Sequence, residues 1–277
     1  MKMFIILLFL SNLTFAQTFM PKNDLFISVD QKNVNITHAV FNQCIDDIES
    51  LYKPIIKERF DAKLKVVRKW EDGTVNAYAL QRGKNWEVHM FGGLARHKAI
   101  TPDGFRAVIC HELGHHAGGA PKIRNWTSSW ASNEGQSDYF AMTKCLKRFF
   151  KKDIDKTLTL FDENEDTIAT AKCALVYTEI EDMAICVREL KASLSLATLL
   201  AGSQEVSIES HDSTIVSRTN DKHPAAQCRL DTYVAGSLCN KDLDEIPDSE
   251  DVRAGYCVRS DGYVYGVRPL CWYKPKN

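Results

Sequence analysis

The sequence predicts an α+β fold that is mainly helical, with a small antiparallel sheet and a disulfide-containing C-terminal tail. Short runs of alternating apolar residues, separated by turns, fall between residues 63 and 91, whereas apolar residues recur at helical spacing on both sides of them. In addition, residues 241–277 contain two cysteines, an acidic run and a Ser-Asp-Gly turn, which together indicate a hairpin extension.

The first predicted elements are one helix and the sheet. Thr37 is a good N-cap for a helix whose apolar residues keep helical spacing, and Pro54 is expected to disturb this helix near its end. The alternating runs at 63–70, 75–80 and 86–91 then predict two or three short strands in an antiparallel meander.

Helices are predicted for most of the remaining chain. One begins with Thr101 as its cap and Pro102 at the first helical position, where a missing N–H costs nothing. The other helices are predicted at 133–149, 170–201 and 224–237.

The helix from Pro102 contains the sequence His-Glu-Leu-Gly-His. Residues four apart share one face of a helix, so His111 and His115 can aim their imidazoles at a single ion. Glu112 lies beside them, where it can reach a metal-bound water without ligating the metal. This is the arrangement of zinc hydrolases with an H-E-x-x-H motif, although two histidines on a surface helix can also be incidental.

A third ligand and its supporting residue follow on the next helix. Eighteen residues lie between His115 and Glu134, close to the spacing at which one class of zinc peptidases supplies a glutamate ligand. Asp138, one turn later, can accept a hydrogen bond from the non-ligating nitrogen of a zinc histidine. The sequence therefore predicts one Zn²⁺ per chain on His111, His115 and Glu134, while His116 is expected to be structural or substrate-facing.

Several motifs resemble the HtpX and CAAX prenyl protease type of gluzincin metallopeptidase, in particular its soluble exported members. In chain order they are Asn76-Ala77-Tyr78-Ala79, Gly92-Gly93-Leu94, the HELGH run, Glu134 with Ser137-Asp138, and His223-Pro224 with Arg229. The resemblance implies a compact, mostly helical, zincin-like domain with a small sheet, one zinc ion and peptide-bond hydrolysis.

The same resemblance implies that His223 and Arg229 lie near the metal and act in catalysis together with Glu112. A histidine at that place can stabilise the oxyanion, or it can cap the zinc in a resting state. From the residues alone, His223 is only a neighbour of a proline-started helix, so these alternatives stay open.

The predicted function is a zinc-dependent endopeptidase acting on unfolded or exposed protein segments, with a metal-activated water whose proton Glu112 accepts. Two alternatives remain: a chaperone-like envelope protein with a structural or latched zinc site, and a narrow-specificity zinc hydrolase or aminopeptidase. A net charge of −1 gives no reason to expect a nucleic-acid partner.

The N-terminus predicts export, to the periplasm or beyond the cell. Lys2, the apolar run 4–10 and the small residues before position 17 form a signal peptide, residues 1–16, and the run is short for an uncleaved anchor. No later segment has transmembrane length. We expect a peptidase domain at 17–240 with the cysteine-containing hairpin extension, 241–277, packed on it.

Nine cysteines in an exported chain indicate disulfides and leave at least one thiol unpaired. Cys110 is the candidate free thiol. Cys173 and Cys186 are predicted to lie on one helix, too far apart to pair. Cys257 and Cys271 are the favoured local pair, with crossed pairing to Cys239 left open.

Overall fold

The computed structural model describes residues 17–31, 35–123, 130–163 and 166–275, so the proposed signal peptide lies outside the described residues. The predicted α+β class is confirmed: the described residues form helices and one four-stranded sheet. The strands are β1 (Gln17–Thr18), β2 (Lys63–Lys69), β3 (Ala77–Arg82) and β4 (Asn85–Phe91). The helices are α1 (His38–Phe60), α2 (Gly92–Arg96), α3 (Pro102–Ala117), α4 (Glu134–Phe140), α5 (Lys147–Lys152), α6 (Ile154–Glu163), α7 (Thr167–Cys173), α8 (Ile180–Ala201) and α9 (Ala226–Ser237), with a π-helical segment, Ala141–Leu146, between α4 and α5.

Both predicted helix caps are confirmed. The Thr37 hydroxyl accepts a hydrogen bond from the Val40 amide at 3.3 Å, and that of Thr101 accepts one from the Gly104 amide at 3.0 Å. Helix α1 continues past Pro54 to Phe60, so this proline does not end the helix.

The sheet is mixed, which corrects the predicted antiparallel meander. Its strand order is β1-β3-β4-β2, with β3 antiparallel to β4 but β2 parallel to β4. The residues after β2 carry the chain across to the far side of β4 before β3 begins. Alternating apolar residues identify a strand but specify neither its neighbour nor its direction, and the sequence pattern was therefore compatible with both arrangements.

The predicted helix 170–201 is in fact two helices. A turn between Ala174 and Glu179 separates α7 from α8 and folds one back on the other. Cys173 and Cys186 consequently lie 5.9 Å apart at Cα and form a disulfide, so the prediction that they cannot pair was wrong. The helical spacing of apolar residues continues through the turn and conceals it.

Cys110 is not the free thiol. It pairs with Cys145 in the π-helical segment, and the free cysteine among the described residues is Cys44, buried on α1. Cys110 points away from the ligand face of α3, and this orientation directs it at the neighbouring helix.

Two disulfides, Cys228–Cys271 and Cys239–Cys257, join the tail to α9 and its end. The favoured Cys257–Cys271 pair was wrong, whereas the crossed pairing with Cys239 occurs. The described tail residues contain no strand, and a short 3₁₀ turn, Arg259–Asp261, stands where the hairpin turn was expected.

Helix α3 runs through the middle of the molecule. Every residue from Gly104 to Ala117 is buried, against the sheet, α1, α8 and the helix that begins at Glu134. The HELGH residues are therefore held by core packing on a rigid element. None of the described helices is long and apolar enough to cross a membrane.

Candidate metal centre

Three side chains from α3 and α4 converge. His111, His115 and Glu134 each present one ligand atom, and these atoms lie within 4.8 Å of one another. Glu134 reaches both histidines: its Oε2 lies 3.3 Å from His111 Nε2 and its Oε1 lies 3.7 Å from His115 Nε2. Glu134 is the first residue of α4, and the Asn133 side chain caps that helix by accepting from the Gln136 amide at 2.9 Å.

The tautomer of each imidazole is set by the hydrogen bond that its Nδ1 makes. His111 Nδ1 lies 2.7 Å from Asp138 Oδ1, and His115 Nδ1 lies 2.8 Å from the Ser132 carbonyl oxygen. Both oxygens can only accept, so each Nδ1 donates its hydrogen. Nε2 is then the nitrogen of each ring that faces Glu134 and can ligate a metal.

Several buried atoms of this cluster lack a hydrogen bond. Within the described residues, His111 Nε2, His115 Nε2 and Glu134 Oε2 make no hydrogen bond. Unsatisfied buried polar atoms are costly, and three of them facing one another form a site suited to a cation. Two imidazole nitrogens and one carboxylate form a donor set suited to catalytic zinc, so the residues present fit this ion.

Asp138 remains ionised although it is fully buried. Burial alone would raise its pKa, but the Arg229 guanidinium and His111 outweigh burial and hold the pKa of this carboxyl well below its usual range. Arg229 is itself only 1% exposed. The structure thus supplies His111 with a permanent anionic partner.

The two ligand histidines have opposite environments. Burial lowers the pKa of His115 to about 4, which keeps its imidazole neutral. Burial also disfavours the charged form of His111, but Asp138 outweighs this effect and raises the pKa to about 9. Metal binding at Nε2 must therefore displace a proton from His111, which is ordinary for a histidine ligand.

Glu112 lies next to the cluster with no exposed surface. Neither of its carboxylate oxygens has a hydrogen-bond partner in the described parts of the chain. Burial raises the pKa of Glu112 to about 8, with His111 opposing this shift. A carboxyl group tuned in this way can both accept and give up a proton near neutral pH.

His223 comes from the loop before α9 and reaches the edge of the cluster. Its Nε2 lies 3.5 Å from Glu134 Oε2 and 2.7 Å from the Thr18 carbonyl oxygen. The structure therefore brings His223 beside the predicted ligands, and its role remains a prediction.

His116 faces away from the cluster. It is stacked between Trp86 and Trp130, with ring centroids 4.9 Å from each, and is 3% exposed. Of the two predicted roles, this packing favours the structural one.

Residues at the start of the described chain also line the site, and they were not predicted from the sequence. Phe19 is fully buried with its ring edge-on to His111, centroid to centroid 5.3 Å. Its carbonyl accepts a hydrogen bond from Arg229 Nη1 at 2.6 Å. Residues 17–36 show no periodic pattern, so the one available clue was the Asn76-Ala77 motif that lies beside them.

Residues 45–142 match the family model of peptidase family M48. This match confirms the predicted family resemblance. The match indicates a zinc metallopeptidase of the M48 type. The matched segment runs from α1 into the π-helical segment and contains the HELGH motif, Glu134 and Asp138, whereas His223 and Arg229 lie beyond it. Neither the curated proteins nor the solved structures gave a significant match.

Proposed function

We propose that this M48-type metallopeptidase is an exported endopeptidase that cleaves unfolded or exposed protein segments. The observation that carries the proposal is the buried His111, His115 and Glu134 cluster, whose unpartnered atoms lie beside the equally unpartnered carboxylate of Glu112. Such a combination of convergent ligand atoms and a neighbouring buried carboxyl group is suited to hydrolysis of a stable bond.

His111, His115 and Glu134 would hold the Zn²⁺. When bound, zinc acts as a Lewis acid and lowers the pKa of a coordinated water to about 7. Glu112 then accepts a proton from the attacking water and donates it to the leaving amine nitrogen, a contribution of about 10²–10⁴-fold in rate.

His223 is proposed to donate a hydrogen bond to the carbonyl oxygen of the scissile peptide. Its contact with the Thr18 carbonyl supports this role, because Nε2 already accommodates a backbone oxygen beside Glu134. Arg229 is proposed to hold Asp138 and, through Nη1, a second backbone carbonyl of the bound peptide.

The proposed substrate is an extended peptide. The edge of β3 nearest the cluster pairs with a strand, β1, through backbone groups. Strand addition selects for an extended backbone and is available to unfolded segments, whereas a folded chain cannot enter such an edge.

Four disulfides among the described residues support export, because disulfides persist in oxidising compartments. We further propose that residues 1–16 direct export, that 17–240 form the peptidase domain, and that 241–277 pack on it. Contacts such as the 2.7 Å hydrogen bond from the Tyr256 hydroxyl to the Gly118 carbonyl, at the end of α3, support the last point.

The test combines metal analysis with cleavage of unfolded casein. Wild type and Glu112→Gln should each contain one zinc per chain, and only wild type should cleave. Glu58→Gln, an exposed glutamate on α1, is the matched control and should behave as wild type. Full activity in Glu112→Gln would contradict the assigned base, and zinc without any cleavage by wild type would favour the chaperone-like alternative.

A further inference from the structure

The peptide-binding edge of β3 is occupied by the chain's own residues, Gln17–Met20. Strand β1 pairs antiparallel with β3, with Thr18 opposite Tyr78. The pairing continues beyond β1, since the Phe19 amide donates to the Ala77 carbonyl at 3.1 Å. The segment thus lies where the proposed function requires a substrate.

The Thr18 carbonyl faces His223, which lies at the edge of the metal cluster. In an antiparallel pair, the backbone groups of alternate residues point towards and away from the neighbouring strand. Because the Phe19 amide points towards β3, the Thr18 carbonyl points away from it, and there it meets His223 Nε2 at 2.7 Å. The same nitrogen is 3.5 Å from Glu134 Oε2.

The two residues after this carbonyl are held by separate side chains. Arg229 Nη1 donates to the Phe19 carbonyl at 2.6 Å, and the Phe19 ring fills a fully buried space between His111 and the guanidinium of Arg229. Asn76 brackets Met20: its Oδ1 accepts from the Met20 amide at 3.0 Å, and its Nδ2 donates to the Met20 carbonyl at 3.3 Å.

Of the three carbonyls from Thr18 to Met20, the last two are therefore engaged by Arg229 and Asn76, and the first meets His223 at the edge of the metal cluster. We propose that Gln17–Met20 is bound as a substrate in cis and that the enzyme hydrolyses its own Thr18–Phe19 bond. The inference rests on the proposed peptidase function.

The reaction consumes one water molecule. The bond between the Thr18 carbonyl carbon and the Phe19 nitrogen breaks; the water oxygen bonds to that carbon, leaving a carboxylate on Thr18. Glu112 carries the proton to the nitrogen, which becomes the α-amine of Phe19. Everything that precedes Phe19 is released from the chain.

The experiment follows the N-terminus by intact mass and N-terminal sequencing. Protein purified with a chelator present is reloaded with zinc, and a species that begins at Phe19 should accumulate. Its rate should be first order and unchanged over a wide range of protein concentration, because the bond is cleaved within one molecule. Glu112→Gln should lower this rate at least about 100-fold, with zinc content and circular dichroism unchanged.

Glu58→Gln, the exposed glutamate variant on α1, is the matched control, because it lies outside the bound segment and the metal cluster. It should also yield a chain that begins at Phe19, at a similar rate. Wild type that cleaves casein while its Thr18–Phe19 bond stays intact would overturn this inference and leave the proposed function standing. Failure to cleave either substrate would overturn both.

Discussion

Asp138 and Arg229 form a buried two-point ion pair. Arg229 Nε donates to Oδ2 of Asp138 and Nη2 donates to Oδ1, both at 2.7 Å. The same Oδ1 accepts the hydrogen of His111 Nδ1, also at 2.7 Å. One carboxylate thus connects α9 to the histidine that is proposed to bind zinc, and the geometry of His111 depends on both partners.

Asp138→Asn should weaken zinc binding by about 10–100-fold, because the neutral amide no longer strengthens His111 as a ligand. Competition with a chromophoric chelator measures this change. Asp155→Asn, which alters an exposed carboxylate on α6, serves as the control. An affinity unchanged in Asp138→Asn would show that the contact does not tune the metal.

Arg229→Met should lower the free energy of unfolding by about 3–5 kcal/mol, because it leaves the buried Asp138 charge without its partner. Denaturant titration measures the loss. The double variant Arg229→Met/Asp138→Leu should recover part of it, since the unpaired charge is then also gone. If the two single losses simply add in the double variant, the pair is not coupled.

Local rules predicted the centre of the molecule well. The caps at Thr37 and Thr101 and the convergence of His111 with His115 follow from helix geometry, which relates residues three or four apart. Glu134 could also be predicted, because it lies at the start of the next helix.

Long-range pairings could not be obtained in this way. The neighbours of β2, the partner of Cys110 and the turn that brings Cys173 to Cys186 depend on where whole elements pack, and no local pattern encodes this. Thr18 is the clearest case, because its place at the site is set by the free edge of β3, about sixty residues away in the chain.

Zinc removal should lower the thermal stability of the protein. His111 Nε2, His115 Nε2 and Glu134 Oε2 make no hydrogen bond within the described residues, so a chelator leaves them buried and unsatisfied. At free zinc about 1,000-fold above the dissociation constant, bound metal contributes about 4 kcal/mol. Calorimetry should show a lower Tm that zinc restores, and Glu134→Gln should show a much smaller shift. Equal shifts in both proteins would indicate that zinc binds elsewhere.

The Cys110–Cys145 disulfide should stabilise the helix that carries the motif. Closing this 35-residue separation should contribute about 3–4 kcal/mol, so Cys110→Ala/Cys145→Ala should unfold at lower denaturant concentration. Cys44→Ala, which removes a thiol outside the disulfides, is the control. Burial raises the pKa of Cys44 to about 12, so this thiol should react very slowly with a thiol reagent in the native protein. After denaturation without a reductant, one reactive thiol per chain should be measured. Several reactive thiols in the unreduced, denatured protein would contradict these pairings.

Substrate preference should reflect the space that Phe19 fills. Its ring is fully buried against His111 and Arg229, so a peptide with phenylalanine directly after the scissile bond gains about 1.5–3 kcal/mol of apolar burial over one with a small residue there. This corresponds to about a 10–100-fold higher kcat/KM for phenylalanine than for alanine. The residue before the bond corresponds to Thr18, which is only partly buried, and changes there should matter much less. Fluorogenic peptides that differ at these two positions separate the effects. Equal kcat/KM for phenylalanine and alanine would show that substrates do not bind in the register of Gln17–Met20.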